Sequence, residues 1–328
     1  MARQRLSRNQ QRNIRDRQQR EAGRCQLRDG LVVAHHGKQL MIEDAETQTR
    51  LRAHARRTLG SLATGDRIGW TEDDEGGARI EALKPRDSLL IRPDTHGRER
   101  LMAANLDQVV IVVAPRPAMN PGVVEQAMVA ALDLPARPLL VRNKIDLLHE
   151  SPGAAVAEHA MAIWQDAGLR CLDVSVRSGE GVETLRAQLA GHCSLLVGLS
   201  GVGKSSLTRL LVPQAADIAV APLSEHSGEG LHTTRTSTLF HLPGGGMLID
   251  APGVRDFTPR RPRPESVDSA FPDILELAAH CRFANCSHDH EPRCAVRNAV
   301  ASGQLDPRRL ESYRSLRALA LAPAGTRD

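Results

Sequence analysis

The sequence predicts a multidomain chain with three folded parts. They are a small N-terminal β-barrel, a central α/β domain on a largely parallel sheet, and a small α-helical C-terminal domain built around a metal ion. Three observations predict it. Short strand-like runs between turn residues fill positions 23–95, buried-type strands alternate with helical stretches from Leu106, and three of the six cysteines fall within residues 281–294.

The 328 residues allow two or three domains. Hydrophobic residues at 41% and charged residues at 25% sit near the globular average, which excludes wholesale disorder and collagen-like repeats. The longest clean apolar stretch, Val109 to Ala114, is far short of the ~20 residues of a membrane-spanning helix. The N-terminal stretch has arginines and no apolar h-region, so no secretory signal is expected. With so few cysteines, a reducing compartment and a cytoplasmic location are expected.

The net charge of +4 hides an uneven distribution. Arg3, Arg5, Arg8, Arg12, Arg15, Arg17 and Arg20 stand against one acid, Asp16, so residues 1–22 read as a disordered basic tail. A second basic run spans Arg50 to Arg57. Both suit a phosphate backbone, and a solvated face is the bland reading of the second. Arginine outnumbers lysine 39 to 4, yet lysine occupies two chemically decisive positions, Lys144 and Lys204.

In the N-terminal part, Leu31–Ala34, Leu40–Ile42, Asp66–Trp70 and Arg79–Leu83 are strand-like, with turn formers at Gly65-Asp66 and Glu75-Gly76-Gly77. About five short strands in roughly 70 residues predict a small barrel, most simply a basic OB-fold. In the central part, residues 108–114, 138–142, 171–176, 194–197, 236–242 and 247–250 are apolar strand runs without alternation, the mark of a sheet covered on both faces. Helical stretches at 121–133, 153–167 and 181–190 supply the crossovers. Gly244-Gly245-Gly246 predicts an antiparallel hairpin between the last two strands. A Pro/Arg linker, Arg260 to Pro264, precedes the Cys/His segment and a helix around 307–321.

Gly198-Leu199-Ser200-Gly201-Val202-Gly203-Lys204-Ser205 follows an apolar strand and opens a helix beginning at Ser206. That is the phosphate-loop pattern in its required context. Backbone N–H groups cradle phosphates, Lys204 reaches the β- and γ-phosphates, and Ser205 offers a hydroxyl to Mg²⁺. Asn143-Lys144-Ile145-Asp146 ends another strand. The Asp146 carboxylate there accepts from N1–H and the 2-amino group of guanine, a donor pair that adenine lacks. Asn143 braces the loops and the Lys144 stem lies against the ring. Ser175, at the end of residues 171–176, closes over the guanine O6, with a plain loop serine as its rival reading.

Asp250-Ala251-Pro252-Gly253 is a D-x-x-G arrangement, in which Asp250 reaches Mg²⁺ through water and the Gly253 N–H contacts the γ-phosphate. Gly230-Leu231-His232-Thr233-Thr234-Arg235 is read as switch I. Thr234 is preferred over Thr233 as the hydroxyl on Mg²⁺, the register of the loop being open. The order of these motifs is permuted: the guanine reader precedes the phosphate loop. The pocket survives because all the motifs lie at the carboxyl edge of one sheet. Cys281-x4-Cys286-x-His288-x5-Cys294 supplies four ligands for one structural Zn²⁺, with His280 and His290 as alternatives to His288. Arg282, Arg293 and Arg297 around it fit an RNA contact or a plain charged surface.

Together, NKID, GLSGVGKSSL, GLHTTR, DAPG and the zinc pattern, in that permuted order after a basic barrel, resemble the ribosome small-subunit-dependent GTPase A family (RsgA, also called YjeQ or EngC). Leu101–Gln108 and Cys294-Ala295-Val296 also match. The resemblance implies an OB-fold at 23–95, a circularly permuted P-loop GTPase domain at 96–259 and a zinc domain at 260–328. It implies GTP and GDP as ligands with Mg²⁺, a late role in small ribosomal subunit maturation through contacts to that subunit and its rRNA, and slow hydrolysis stimulated by the subunit. A cytoplasmic monomer is expected, with other maturation factors as further partners and no membrane. Arg235 stands where the family shows a third Thr. Val254 follows D-x-x-G where many GTPases carry a water-orienting Gln, so His232, with Lys204 and Thr234, is the catalytic candidate. Two rivals are an ATP-using P-loop enzyme and a zinc/OB RNA-binding module whose nucleotide domain only switches.

Overall fold

The computed structural model describes residues 27–36, 39–73, 76–93, 99–150, 154–213, 237–251, 257 and 261–322. They form two compact units, one made of the residues up to Asn105 with 237–239, the other of the remainder from Leu106. The expected basic tail at 1–22 lies outside the described residues.

In the first unit, β1 (Arg28–His36), β2 (Gln39–Asp44), β3 (Arg50–Ala55), β4 (Arg67–Glu72) and β5 (Ala78–Leu83) pair in the order β1-β2-β3-β5-β4, and β4 returns to β1. Every pair is antiparallel except β3–β5. This closed five-stranded order is the OB-fold. β3 falls on the run that reads as basic in the sequence. Leu51, Ala53 and Ala55 face the core, whereas Arg52 and His54 are exposed. The alternation is a strand's, but arginines occupy its outer half. Trp70 fills the barrel beside Ile42, Ile68 and Ile80 and donates its Nε1–H to the Asp29 carbonyl at 3.3 Å. Gly30 lets β1 cross the indole, since a Cβ there would lie 2.9 Å from Trp70 Cδ1. An antiparallel hairpin, β6 (Leu89–Pro93) and β7 (Glu99–Ala104), belongs to the same unit.

The second unit is built on β8 (Gln108–Val113), buried along its whole length. β9 (Arg137–Asn143), β10 (Cys171–Val174), β11 (Cys193–Val197) and β13 (Met247–Asp250) join it in the order β10-β9-β8-β11-β13, all parallel. β12 (Thr238–His241) is the neighbour of β13, and the turn between them closes with Leu242 N–H donating to the Gly246 carbonyl at 3.0 Å. Helices α1 (Pro121–Asp133), α2 (Ala154–Asp166), α3 (Val182–Leu189) and α4 (Lys204–Leu211) follow β8, β9, β10 and β11. Val110, Val112, Leu139, Val141, Leu185, Leu196 and Leu207 pack into one core between sheet and helices.

The same unit carries α5 (Pro264–Ala270), α6 (Pro272–Ala278), α7 (Ala295–Ala301) and α8 (Pro307–Leu321). Arg309 of α8 is buried and ties three helices together. Its Nη1 donates to Glu125 Oε1 of α1 at 3.0 Å, and Nε and Nη2 donate to the Asp273 carboxylate of α6 at 2.6 and 2.7 Å. Its guanidinium sits 4.6 Å over the Phe271 ring, and Phe271 meets Tyr313 edge to face at 5.4 Å. No helix among the described residues is long and apolar enough to cross a membrane.

Candidate active site and metal centre

Because β8, β9, β10, β11 and β13 are parallel, their carboxyl ends share one edge. The registers Val113↔Arg142, Asn143↔Val174 and Ile111↔Val197 align those ends directly. Open α/β sheets hold ligands at that edge. Asn143, Ser175, Gly198 and Asp250 all lie there.

The loop from Gly198 to Gly203 joins β11 to α4, whose first residue is Lys204. Gly198 has φ +140°, and a Cβ on it would stand 2.2 Å from the Val112 carbonyl oxygen. Gly203, at φ +99°, would press a Cβ 2.2 Å from Asn143 Nδ2. Both positions demand glycine, because the loop backbone runs directly against the β8 carbonyl at Gly198 and against the Asn143 amide at Gly203. Lys204 Nζ donates to the Gly198 and Leu199 carbonyls at 2.6 and 2.8 Å, so its ammonium is held over the loop. Ser200, Gly201 and Ser205 are exposed, Ser206 is half-buried and Val202 is buried into the core.

The end of β9 is bonded to this loop. Asn143 Nδ2 donates to the Val202 carbonyl at 2.9 Å, and Lys144 Nζ donates to the Gly201 carbonyl at 2.6 Å and to that of Arg116 at 3.1 Å. Lys144 reaches them from a left-handed backbone, φ +62°. Asn143 Oδ1 is buried with no hydrogen-bond partner among the described residues, an acceptor that fits a ligand at this edge. Ser175 Oγ donates to Asp146 Oδ1 at 2.6 Å, bracing the carboxylate that the sequence reading assigns to guanine. Arg142 grips Asp173 through two bonds of 2.7 and 2.6 Å and fixes β9 against β10 just below.

Asp250 ends β13 at the same edge. Burial pushes its carboxyl above the ordinary range, and the Lys204 charge nearby opposes that shift. A desolvated carboxylate beside a lysine and a hydroxyl-bearing helix start fits a divalent cation with phosphates. His232, Thr233, Thr234 and Gly253 lie outside the described residues.

Of the three candidate histidines, His288 is the one that lies with the cysteines. Cys281, Cys286, His288 and Cys294 place their ligand atoms within 4.8 Å of one another. Cys281 Sγ lies 3.8 Å from Cys294 Sγ and 3.7 Å from His288 Nδ1, and His288 Nδ1 lies 3.4 Å from Cys294 Sγ. A tetrahedral zinc, with Zn–S about 2.3 Å and Zn–N about 2.0–2.1 Å, sets S···S near 3.8 Å and S···N near 3.6 Å. His288 turns inward from a left-handed backbone, φ +60°, and is buried, while His280 and His290 are exposed. Desolvation lowers the His288 pKa and keeps the ring neutral, the form that ligates. Desolvation pushes the Cys286 thiol up to about 12, whereas at Cys281 desolvation is outweighed by the backbone N–H groups of Val296 and Ala295, which pull the thiol below its ordinary value.

Sequence reasoning missed two features beside the phosphate loop. The Arg116 carbonyl holds Lys144, and a backbone acceptor leaves no trace in residue type. Phe257, buried against Val123, Val124 and Leu199, closes an apolar cleft beneath the phosphate loop. An aromatic a few residues past D-x-x-G was the only available sign of it.

A phosphate loop, a D-x-x-G aspartate and a guanine-type strand end on one parallel sheet, with the strand end first in the chain, define a circularly permuted P-loop GTPase. The RsgA GTPase family model matches residues 83–259. The chain is 45% identical over 291 residues to the small ribosomal subunit biogenesis GTPase RsgA of Azotobacter vinelandii, covering 88% of this chain and 84% of that one. It is 41% identical to the protein of the same name from Saccharophagus degradans, covering 96% and 97%. Among solved structures it resembles YjeQ from Thermotoga maritima, with TM-score 0.69 and 28% identity over 90% of this chain and 99% of that one. YloQ, described as a circularly permuted GTPase, shares the fold with TM-score 0.66 at 22% identity, over 90% and 95% of the two chains. The chain belongs to the RsgA GTPase family.

Proposed function

We propose that this chain hydrolyses GTP to GDP and phosphate at the carboxyl edge of its α/β sheet, with turnover stimulated by the small ribosomal subunit, and that it acts in the late maturation of that subunit in the cytoplasm. The supporting observation is the pair of hydrogen bonds from Asn143 and Lys144 to the Val202 and Gly201 carbonyls. They join the purine-reading strand end to the phosphate loop, so one nucleotide can span both. The role in subunit biogenesis is carried over from relatives named for it that match most of this chain.

In this reading Asp146, braced by Ser175, accepts the guanine donors, and Lys144 covers the ring. The loop amides from Gly198 to Ser206 and Lys204 hold the phosphates. Ser205, Asp250 and a switch I threonine, Thr234 or Thr233, would hold Mg²⁺, which when bound neutralises charge on the phosphates. Gly253 N–H would meet the γ-phosphate. With Val254 unable to orient water, His232 does so when the chain is bound to the subunit. The zinc ligands keep the C-terminal domain folded.

Nucleotide titrations test the site. Lys204→Ala should abolish hydrolysis. Asp146→Asn should weaken GDP and favour XDP, whose 2-oxo group accepts from the new amide; unchanged GDP binding, or ATP use equal to GTP use, would overturn the guanine reading. His232→Ala should keep GDP affinity and lose subunit-stimulated phosphate release, and retained stimulation would remove His232 from the reaction.

A further inference from the structure

The chain has four phenylalanines, two tryptophans and one tyrosine. Trp70, Trp164, Phe240, Phe257, Phe271 and Tyr313 are buried, none more than 7% exposed, whereas Phe283 is 39% exposed. A protein that buries every other one of these rings leaves this one partly exposed at a hydrophobic cost. Phe283 sits between two metal ligands, Cys281 and Cys286, in a loop that a bound cation would hold rigid. The Arg282 guanidinium lies 5.3 Å over its ring. Arg282 N–H donates to the Arg293 carbonyl at 3.4 Å, and Arg297 N–H donates to Cys294 Sγ at 3.4 Å, so three arginines are anchored to the same frame.

None of those three arginines has a carboxylate within ion-pair distance among the described residues. The acids of the loop are engaged elsewhere. Glu291 accepts from Ser287 Oγ at 2.6 Å, and Asp289 pairs with Arg314. An exposed ring capped by one guanidinium, on a loop whose backbone is tied to two more exposed arginines without counter-charge, matches a nucleobase with its flanking phosphates. An apolar protein partner would match the ring and strand the arginines.

We propose that this loop is a stacking platform for single-stranded RNA, with an unpaired base against Phe283 and Arg282 and the neighbouring phosphates on Arg293 and Arg297. A duplex hides its base faces and would not use it. The proposal rests on the reading of the chain as a factor acting on the small subunit, and gives that contact its chemistry.

The test uses the full-length, zinc-loaded chain and a fluorescein-labelled oligoadenylate of about ten nucleotides, read by anisotropy. Phe283→Ala should weaken binding about tenfold, the scale of one lost stack. Phe283→Trp should restore it, and Phe283→Leu, apolar but without a π face, should not. Arg293→Ser with Arg297→Ser should flatten the salt dependence. Zinc content and basal GTP hydrolysis should match the wild type in all of them. Wild-type oligoadenylate affinity in Phe283→Ala or Phe283→Leu overturns the proposal. So does a Phe283→Ala defect seen with purified subunits but not with the oligonucleotide, which assigns the ring to a protein contact. The underlying functional reading fails separately, if the wild-type chain ignores purified subunits.

Discussion

Adding one methyl group to the phosphate loop should damage guanine recognition on the neighbouring strand. In Gly203→Ala the new Cβ would stand 2.2 Å from Asn143 Nδ2, where ordinary contact begins at 3.4 Å, so the amide must withdraw by about 1.2 Å. Its 2.9 Å bond to the Val202 carbonyl cannot survive that shift. Stranding that bond in a buried place costs about 1–3 kcal/mol. Holding alanine at φ +99° adds about 1–2 kcal/mol. If the free loop relaxes to relieve the clash, re-forming the cradle on binding costs about 2–5 kcal/mol, roughly 30- to several-thousand-fold in affinity. Titration with a fluorescent GDP analogue reads this, and a parallel urea melt separates it from unfolding. Asn143→Ala removes the struck group, so the double variant should lose only the backbone strain beyond Asn143→Ala alone. Wild-type affinity in Gly203→Ala, or fully additive losses in the double variant, would refute the steric coupling.

Arg309→Met should destabilise the second unit by about 3–5 kcal/mol in urea, because Glu125 and Asp273 keep their charges without the guanidinium. Burial already pushes the Glu125 carboxyl up, against the pull of Ser312 and Arg309. The native state therefore takes up this proton at higher pH than the unfolded chain. Stability from Glu125 falls as pH rises from the ordinary glutamate value through the raised native one, so the Arg309→Met penalty should be smaller in mild acid than at neutral pH. Adding Glu125→Gln should recover part of the loss at neutral pH. Treatment with a strong chelator should release one zinc per chain, measured with a colorimetric indicator, and lower the far-UV helical signal of α6 and α7; full helicity after complete zinc loss would contradict a structural metal.

The fold class was legible because its signals are local. Gly198 to Ser205 is a contiguous pattern set by one turn, and the uninterrupted apolar run of β8 announces a strand buried on both faces. The strand β3 was obscured because Arg50, Arg52 and His54 dominate its reading while only Leu51, Ala53 and Ala55 carry the packing. Helices α5, α6 and α7 have seven residues each, too few for a helical period to repeat convincingly. Among the histidines, spacing favoured His288 but left His280 and His290 open, since the left-handed turn at His288 is a property of the folded loop. Arg309 and Glu125 stand 184 positions apart, and nothing local in either segment announces their pairing. The Ser175 bond to Asp146 shows the reverse. A serine at a strand end was a weak sign that gained meaning once β10 lay beside β9.

The reversed motif order also affects synthesis. Asn143 and the loop residue it grips are 59 positions apart, with Asn143 made first. At roughly 5–20 residues per second, about 3–12 s of elongation separate the two. A half-made chain therefore presents an aspartate with nothing opposite it to grip a triphosphate tail. In the usual arrangement, the phosphate-gripping turn is translated first. Nascent copies of this protein should stay empty of nucleotide until translation is well past its midpoint.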